Sequence, residues 1–229
     1  MRRGVFVTGT DTGVGKTLAA CALVHALRAA GARPVPMKPI AAGAEGAHNG
    51  DTVALLEAAG LGASWATAVT PVLLREPMAP HIAAAREGRR LDLDFLASAL
   101  DRLEQAGDFL VVEGVGGFKV PLAEGLDTVD LARAAGLPVV LVVGLRLGCL
   151  NHALLTADAV RSAGLPLAGW IANAVDPDMP VRDENVAALE TRLGAPLLGR
   201  MPHSASPDAR VLAAGLDVRA LLGRSVSRP

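Results

Sequence analysis

The sequence predicts an α/β protein in which a mostly parallel central sheet carries helices on both faces. Three observations point there. Short apolar runs alternate along the chain with longer segments of helical period. The runs are apolar almost throughout, as expected of strands covered on both faces rather than half-wet. The first run opens directly into a glycine loop that ends Gly15-Lys16-Thr17 and then into a helical segment.

That first unit organises the rest. Val5-Phe6-Val7 reads as a strand, the loop turns through Gly9, Gly13 and Gly15, and Leu18 to Ala30 has helical period. Glycines allow backbone N–H groups to approach phosphate oxygens. A helix N-terminus adds positive potential, Lys16 a point charge, and the Thr17 hydroxyl a ligand for Mg²⁺. The expectation is a P-loop fold, with residues 1–229 forming a single domain. The spacing departs from the usual pattern, which would put the first glycine at Thr10; here it is Gly9.

Beyond the first helix, Arg33 to Pro39 reads as a second strand carrying Lys38 at its end, followed by a small-residue loop to Asn49-Gly50. Asp51 precedes a helical segment, Thr52 to Ala59. It can cap that helix, or aim its carboxylate at the Thr17 cluster. Residues 64–80 read as loop and irregular strand, and Ile82 to Glu87 and Leu93 to Ala106 as helices. Phe109-Leu110-Val111-Val112 is a buried strand ending in Glu113, where a P-loop enzyme places a second carboxylate directed at Mg²⁺. Gly114, Gly116 and Gly117 let the backbone turn close to a ligand.

In the second half, Asp127 to Ala135 reads as helix and Pro138 to Val143 as strand, ending at Gly144. Residues 147–152 read as a loop opening the helix Ala153 to Ala163, with Asn151 a possible N-cap and His152 in the first turn. Leu167 to Ala172 is a strand ending at Asn173, Val181 to Leu193 a helix, and Pro196 to Met201 a strand ending at Pro202-His203. Asp208 to Leu222 reads as helix and frays beyond. Ligands of such sheets bind beyond the C-terminal strand ends, which is where Thr10 to Thr17, Lys38, Glu113, Asn173 and Pro202 fall.

Composition narrows the function classes. Lys+Arg is 22 against Asp+Glu 23, so bulk charge indicates neither a nucleic acid nor a membrane partner. No apolar run approaches a membrane span, and the start shows no cleavage-like site, so a cytoplasmic, soluble protein is expected. Cys21 and Cys149 do not make a disulfide framework. The five histidines show no metal-ligand spacing, and no Ser/His/Asp signature is present. The chain carries only three lysines, Lys16, Lys38 and Lys119, in an otherwise arginine-rich composition. Since ammonium and guanidinium are not interchangeable at a reacting centre, each is a candidate.

Taken in order, several motifs together resemble the dethiobiotin synthetase family over nearly the whole chain, from Phe6 to about Pro202. They are Val-Thr-Gly-Thr-Asp-Thr-x-Val-Gly-Lys-Thr at 7–17, Lys-Pro at 38–39, Asp51, Ala-Pro-His at 79–81, Glu-Gly-x-Gly-Gly at 113–117, Leu-Gly-x-Leu-Asn-His at 147–152 and Asn173. The resemblance implies an ATP-dependent cyclo-ligase of biotin biosynthesis. It would form a cyclic urea from diaminopelargonic acid and CO₂ through a carbamate and a carbamic–phosphoric anhydride. By the same match, Thr17, Asp51 and Glu113 would hold Mg²⁺, while Lys16, Lys38 and Thr12 would act on the reacting groups. The backbone from Gly13 through Val14 and Gly15 to Thr17, with Gly116, would line the ATP phosphates, and Asn173, Pro202 and His203 would contact the adenine. The family is a homodimer. Ala42 would border the substrate, and Leu150 and Asn151 would bind its carboxylate from the second subunit.

The chain departs from that pattern at three positions: Ala42 replaces a common hydroxyl, Gly13 a common Glu, and Lys119 a common apolar residue. Loss of the hydroxyl at 42 is expected to weaken substrate binding by about 0.5–1.5 kcal/mol. Two other readings share the phosphate loop. A related ATP-dependent amide ligase acting on a cobalamin precursor would lack the 38–39 and 147–152 elements. A partitioning ATPase of the MinD type would carry an extra lysine where this chain has Asp11.

Overall fold

The structure is a computed structural model and describes residues 2–223. Its elements run β1 (Gly4–Gly9), α1 (Lys16–Ala29), β2 (Pro34–Met37), β3 (Ile40–Ala42), α2 (Gly50–Ala59), a 3₁₀ turn (Ala63–Trp65), α3 (Ala66–Val69) and β4 (Val72–Leu74). There follow α4 (Pro80–Arg86), α5 (Leu93–Glu104), β5 (Phe109–Glu113), β6 (Pro121–Ala123), β7 (Leu126–Asp127), α6 (Thr128–Ala135) and β8 (Val139–Gly144). The chain closes with α7 (Cys149–Ser162), β9 (Leu167–Asn173), α8 (Arg182–Arg192), β10 (Leu197–Met201), α9 (Ala209–Ala213) and α10 (Arg219–Leu222).

The main sheet has six strands in the order β10-β9-β8-β1-β5-β2, and every pairing is parallel. Successive residues of each strand enter opposite cores. Phe6, Leu110, Leu141 and Trp170 pack with α5, α6, α7 and α8, whereas Val5, Val7, Val111, Val142 and Ile171 pack with α1, α2 and α9. Two-sided burial is the reason these strands read as unbroken apolar runs. From β1 the chain crosses to β2, returns to β5, and then proceeds on the other side to β8. The winding therefore reverses at β1, and that reversal opens a crevice at the C-terminal ends of β1 and β5.

Local chemistry sets most helix starts. Asp92 caps α5 by accepting from the Asp94 and Phe95 N–H groups, and Asp127 and Asp130 form a capping box on α6. Several expectations need correction. Asp51 is not the cap of α2. Asn49 takes that place, its side chain accepting from the Asp51 N–H at 3.0 Å, so Asp51 lies in the first turn with its carboxylate free for other work. Asn151 is not a cap either, because α7 begins at Cys149 behind Gly148, whose φ of 93° suits glycine. Residues 64–80 hold the 3₁₀ turn, α3 and β4, and β4 pairs in parallel with β3 as a small second sheet. A β6–β7 hairpin was also not expected. The single tail helix is instead α9 and α10, broken where the Asp217 N–H donates to the Leu198 carbonyl at 2.7 Å. The fraying expected beyond Leu222 falls largely outside the described residues.

Candidate active site

The phosphate loop hangs between β1 and α1. The Thr10 N–H donates to the Val142 carbonyl at 3.0 Å, which extends the sheet into the start of the loop. Gly15 stands at the N-cap of α1 with φ 85°, and no side chain caps that helix. The first N–H groups of α1 thus remain available for an anion. A side chain at Gly15 would be strained by its φ and would run into the Asn173 amide. That amide donates to the Val14 carbonyl at 2.8 Å and braces the loop from the end of β9.

Lys16 is buried, and its Nζ donates to the Asp11 carbonyl at 2.8 Å. Burial, aided by the ammonium of Lys38, pulls the Lys16 pKa down to about 8. The Asp11 carboxylate accepts from the Thr12 N–H at 2.7 Å and pairs with Arg146, beyond the end of β8. The Thr12 N–H, with Arg146 behind it, holds the Asp11 carboxyl below its ordinary range.

A second cluster faces the loop. Lys38 follows β2 and is only 4 % exposed, while Glu113 ends β5 at 1 % exposure. The Lys38 ammonium lies 2.6 Å from Glu113 Oε1 and 2.8 Å from Asp51 Oδ2. The Thr17 hydroxyl donates to the same Glu113 Oε1 at 2.9 Å. Burial alone would lower the Lys38 pKa, but the Glu113 and Asp51 carboxylates outweigh it and hold the ammonium charged. Burial acts to raise the Asp51 pKa, yet Lys38 brings it below its ordinary range. Glu113 Oε2 is buried with no hydrogen-bond partner in the protein. One hydroxyl and two carboxylates, with a buried acceptor left unsatisfied, form an all-oxygen donor set of the kind hard divalent cations take.

Both clusters open on one cavity of about 700 Å³. Its polar side carries Thr12, Gly13, Gly15, Lys16, Thr17, Lys38, Asp51 and Glu113, with Gly116 and Ala42 also on its lining. Pro77, Met78, Pro80, Val115 and Val120 add apolar surface to the same lining. Most of the expected site residues are therefore together. Val14 is buried beneath the loop, with its carbonyl taken by Asn173. Asn173, Pro202 and His203 lie off the cavity, at the ends of β9 and β10. Pro202 and His203 are exposed, and the His203 ring Nδ1 is 3.3 Å from the Ala174 carbonyl. Leu150 and Asn151 also lie off it, in the first turn of α7.

Three features of the site escaped the sequence reading. Asn49-Gly50-Asp51 held the signal, since Asn is a strong N-cap and fixes Asp51 just inside the helix. The apolar wall at 77–80 left only a proline-rich stretch that read as loop. The Asp11–Arg146 pair joins residues 135 positions apart and had no local signal.

The six-stranded parallel sheet and its glycine loop define a P-loop nucleotide-binding fold. Structural likeness agrees. MinD from Pyrococcus horikoshii, solved with Mg-ADP, superposes with TM-score 0.60 over 98% of this chain and 90% of its own at 17% identity. The signal recognition particle receptor FtsY from Elizabethkingia anophelis with GDP gives 0.58 at 16% identity, covering 98% and 64%. At those identities the likeness extends to the fold alone. A family model described as an AAA domain matches residues 3–210. The ATP-dependent dethiobiotin synthetase of Nitrosospira multiformis is 53% identical over 218 residues, 95% of this chain and 96% of that protein. That of Ralstonia nicotianae is 51% identical over 228 residues, 98% and 99% of the two chains. This chain belongs to the ATP-dependent dethiobiotin synthetase family.

Proposed function

We propose that the chain, acting as one domain over residues 1–229, uses ATP to close a cyclic urea on diaminopelargonic acid with CO₂. The observation that carries this reading is the shared cavity, whose lining combines two buried lysines and two carboxylates with apolar side chains. A nucleotide switch needs only the phosphate loop. A cavity with room beside that loop and a hydrocarbon-compatible wall suits a small organic substrate.

The loop N–H groups and Lys16 bind the ATP phosphates, with Thr12 and Gly116 beside them. Thr17, Asp51 and Glu113 hold Mg²⁺, which neutralises charge on the phosphates when bound. One substrate amine adds to CO₂ and releases a proton to form a carbamate. A carbamate oxygen then attacks the γ-phosphorus and ADP leaves. The second amine attacks the carbamoyl carbon, phosphate departs, and the ring is closed. Lys38 stabilises the carbamate and the oxygens of the moving phosphoryl group, with no protein nucleophile required. Met78, Pro80 and Val120 accept the aliphatic part of the diamine. Asn173, Pro202 and His203 flank the adenine, and Ala42 borders the diamine without a hydroxyl to offer it.

The chain works as a homodimer in the cytoplasm, with Leu150 and Asn151 of a second copy receiving the diamine carboxylate near the α7 N-terminus. Among the described residues no helix is long and apolar enough to cross a membrane. The test is phosphate release with Mg·ATP and bicarbonate, with and without the diamine, while the organic product is weighed by mass spectrometry. Diamine-dependent release and a cyclic urea support the assignment. Release indifferent to the diamine moves it to a related amide ligase or a nucleotide switch.

A further inference from the structure

Lys38 holds a position that a lysine awaiting substrate would not need. Its ammonium points at Glu113 Oε1 and Asp51 Oδ2, at 2.6 and 2.8 Å, and Thr17 Oγ1 meets the same Glu113 oxygen. Those are the oxygens of the three residues assigned above to Mg²⁺. Glu113 is only 1 % exposed, and two carboxylates gathered there without a cation would carry a large desolvation and repulsion cost. An ammonium and a divalent ion among these few oxygens repel each other, so each weakens the other's hold on them.

We infer that the Lys38 ammonium and the divalent ion are alternative occupants of one oxygen site. The metal-free protein fills it with its own cation. Loading the ion displaces Lys38 Nζ into the cavity that Lys38 already lines, where the carbamate and phosphoryl group are to be bound. Metal loading and delivery of the catalytic ammonium then become one event. A protein without metal keeps Lys38 away from substrate and its carboxylates neutralised. The inference rests on the metal assignment made under the proposed function, and the experiment separates the two.

Mn²⁺ binding to the nucleotide-free protein is measured by electron paramagnetic resonance in wild type, Lys38→Met, Asp51→Asn and the double variant. Removing the competing ammonium is expected to tighten Mn²⁺ binding by roughly tenfold or more. The double variant should lose that gain. Equal affinity in wild type and Lys38→Met, with weaker binding in Asp51→Asn, overturns mutual exclusion and leaves the metal site standing. Affinity unmoved in every variant overturns both.

Should Lys38→Met not fold, the wild-type chain supplies a second measurement. Its three lysines make amine labelling easy to assign by mass, and exposed Lys119 serves as internal reference. Mg·ADP is compared with ADP in chelator. Labelling of Lys38 relative to Lys119 is expected to rise several-fold with Mg²⁺. An unchanged ratio overturns the inference.

Discussion

The side-chain amide of Asn173 donates to the carbonyl of Val14 at 2.8 Å, so the last residue of β9 holds the middle of the phosphate loop. The contact is buried and spans 159 positions of chain. Asn173→Ala is expected to lower stability by about 0.5–1.5 kcal/mol, the worth of a typical buried hydrogen bond. It should also raise the KM for ATP with little change in the KM for diamine. Denaturant unfolding and steady-state kinetics check both. A variant that moved only the diamine KM would show that the bond does not organise the loop.

Lys38 is expected to matter most when charge develops on the transferring phosphoryl group. Lys38→Ala should bind ATP nearly as well as wild type while turnover falls by about two to three orders of magnitude. Calorimetric ATP binding beside single-turnover rates makes the comparison. Unchanged turnover would remove Lys38 from the chemistry.

Asn151 lies in the first turn of α7, off the lining of the shared cavity. Asn151→Ala is expected to raise the KM for diamine and leave ATP affinity alone. Loss of ATP affinity instead would place the α7 N-terminus at the nucleotide rather than at the diamine carboxylate.

The depressed Lys16 pKa gives a proton signature. Without nucleotide, Lys16 titrates near pH 8 rather than at its ordinary 10.5, chiefly because it is buried. A triphosphate beside it favours the ammonium and raises that pKa. Between those two values the free protein is largely deprotonated at Lys16 and the complex protonated, so ATP binding takes up a proton. At pH 7 both forms are charged and uptake vanishes. Calorimetry in buffers of different ionisation enthalpy reads this directly, and equal uptake at pH 7 and pH 9 would refute it.

The strands were legible because burial on both faces leaves no polar position to break the run, as in Val139 to Val143. Helix starts were less so. Gly15 and Gly148 offer no capping side chain, and α1 and α7 begin earlier than apolar period alone suggests. The broken tail was hidden because its interruption comes from a tertiary bond, Asp217 to Leu198, between segments that each look helical. In the site, Lys16, Lys38, Asp51 and Glu113 announced themselves by charge at strand ends and a helix start. The way Lys38 bridges Asp51 and Glu113 could not be read, because it depends on how β2, α2 and β5 are laid side by side.

The position of β1 also sets an order of assembly. It precedes the other strands of the sheet along the chain, yet its neighbours are β5 and β8, so Phe6 pairs only once Val112 and Val139 are in place. Helix α1 gains the cover of α9 later still. The phosphate loop therefore precedes along the chain the strands that hold its shape, and bound nucleotide can reward only a chain in which β5, β8 and β9 are already in place.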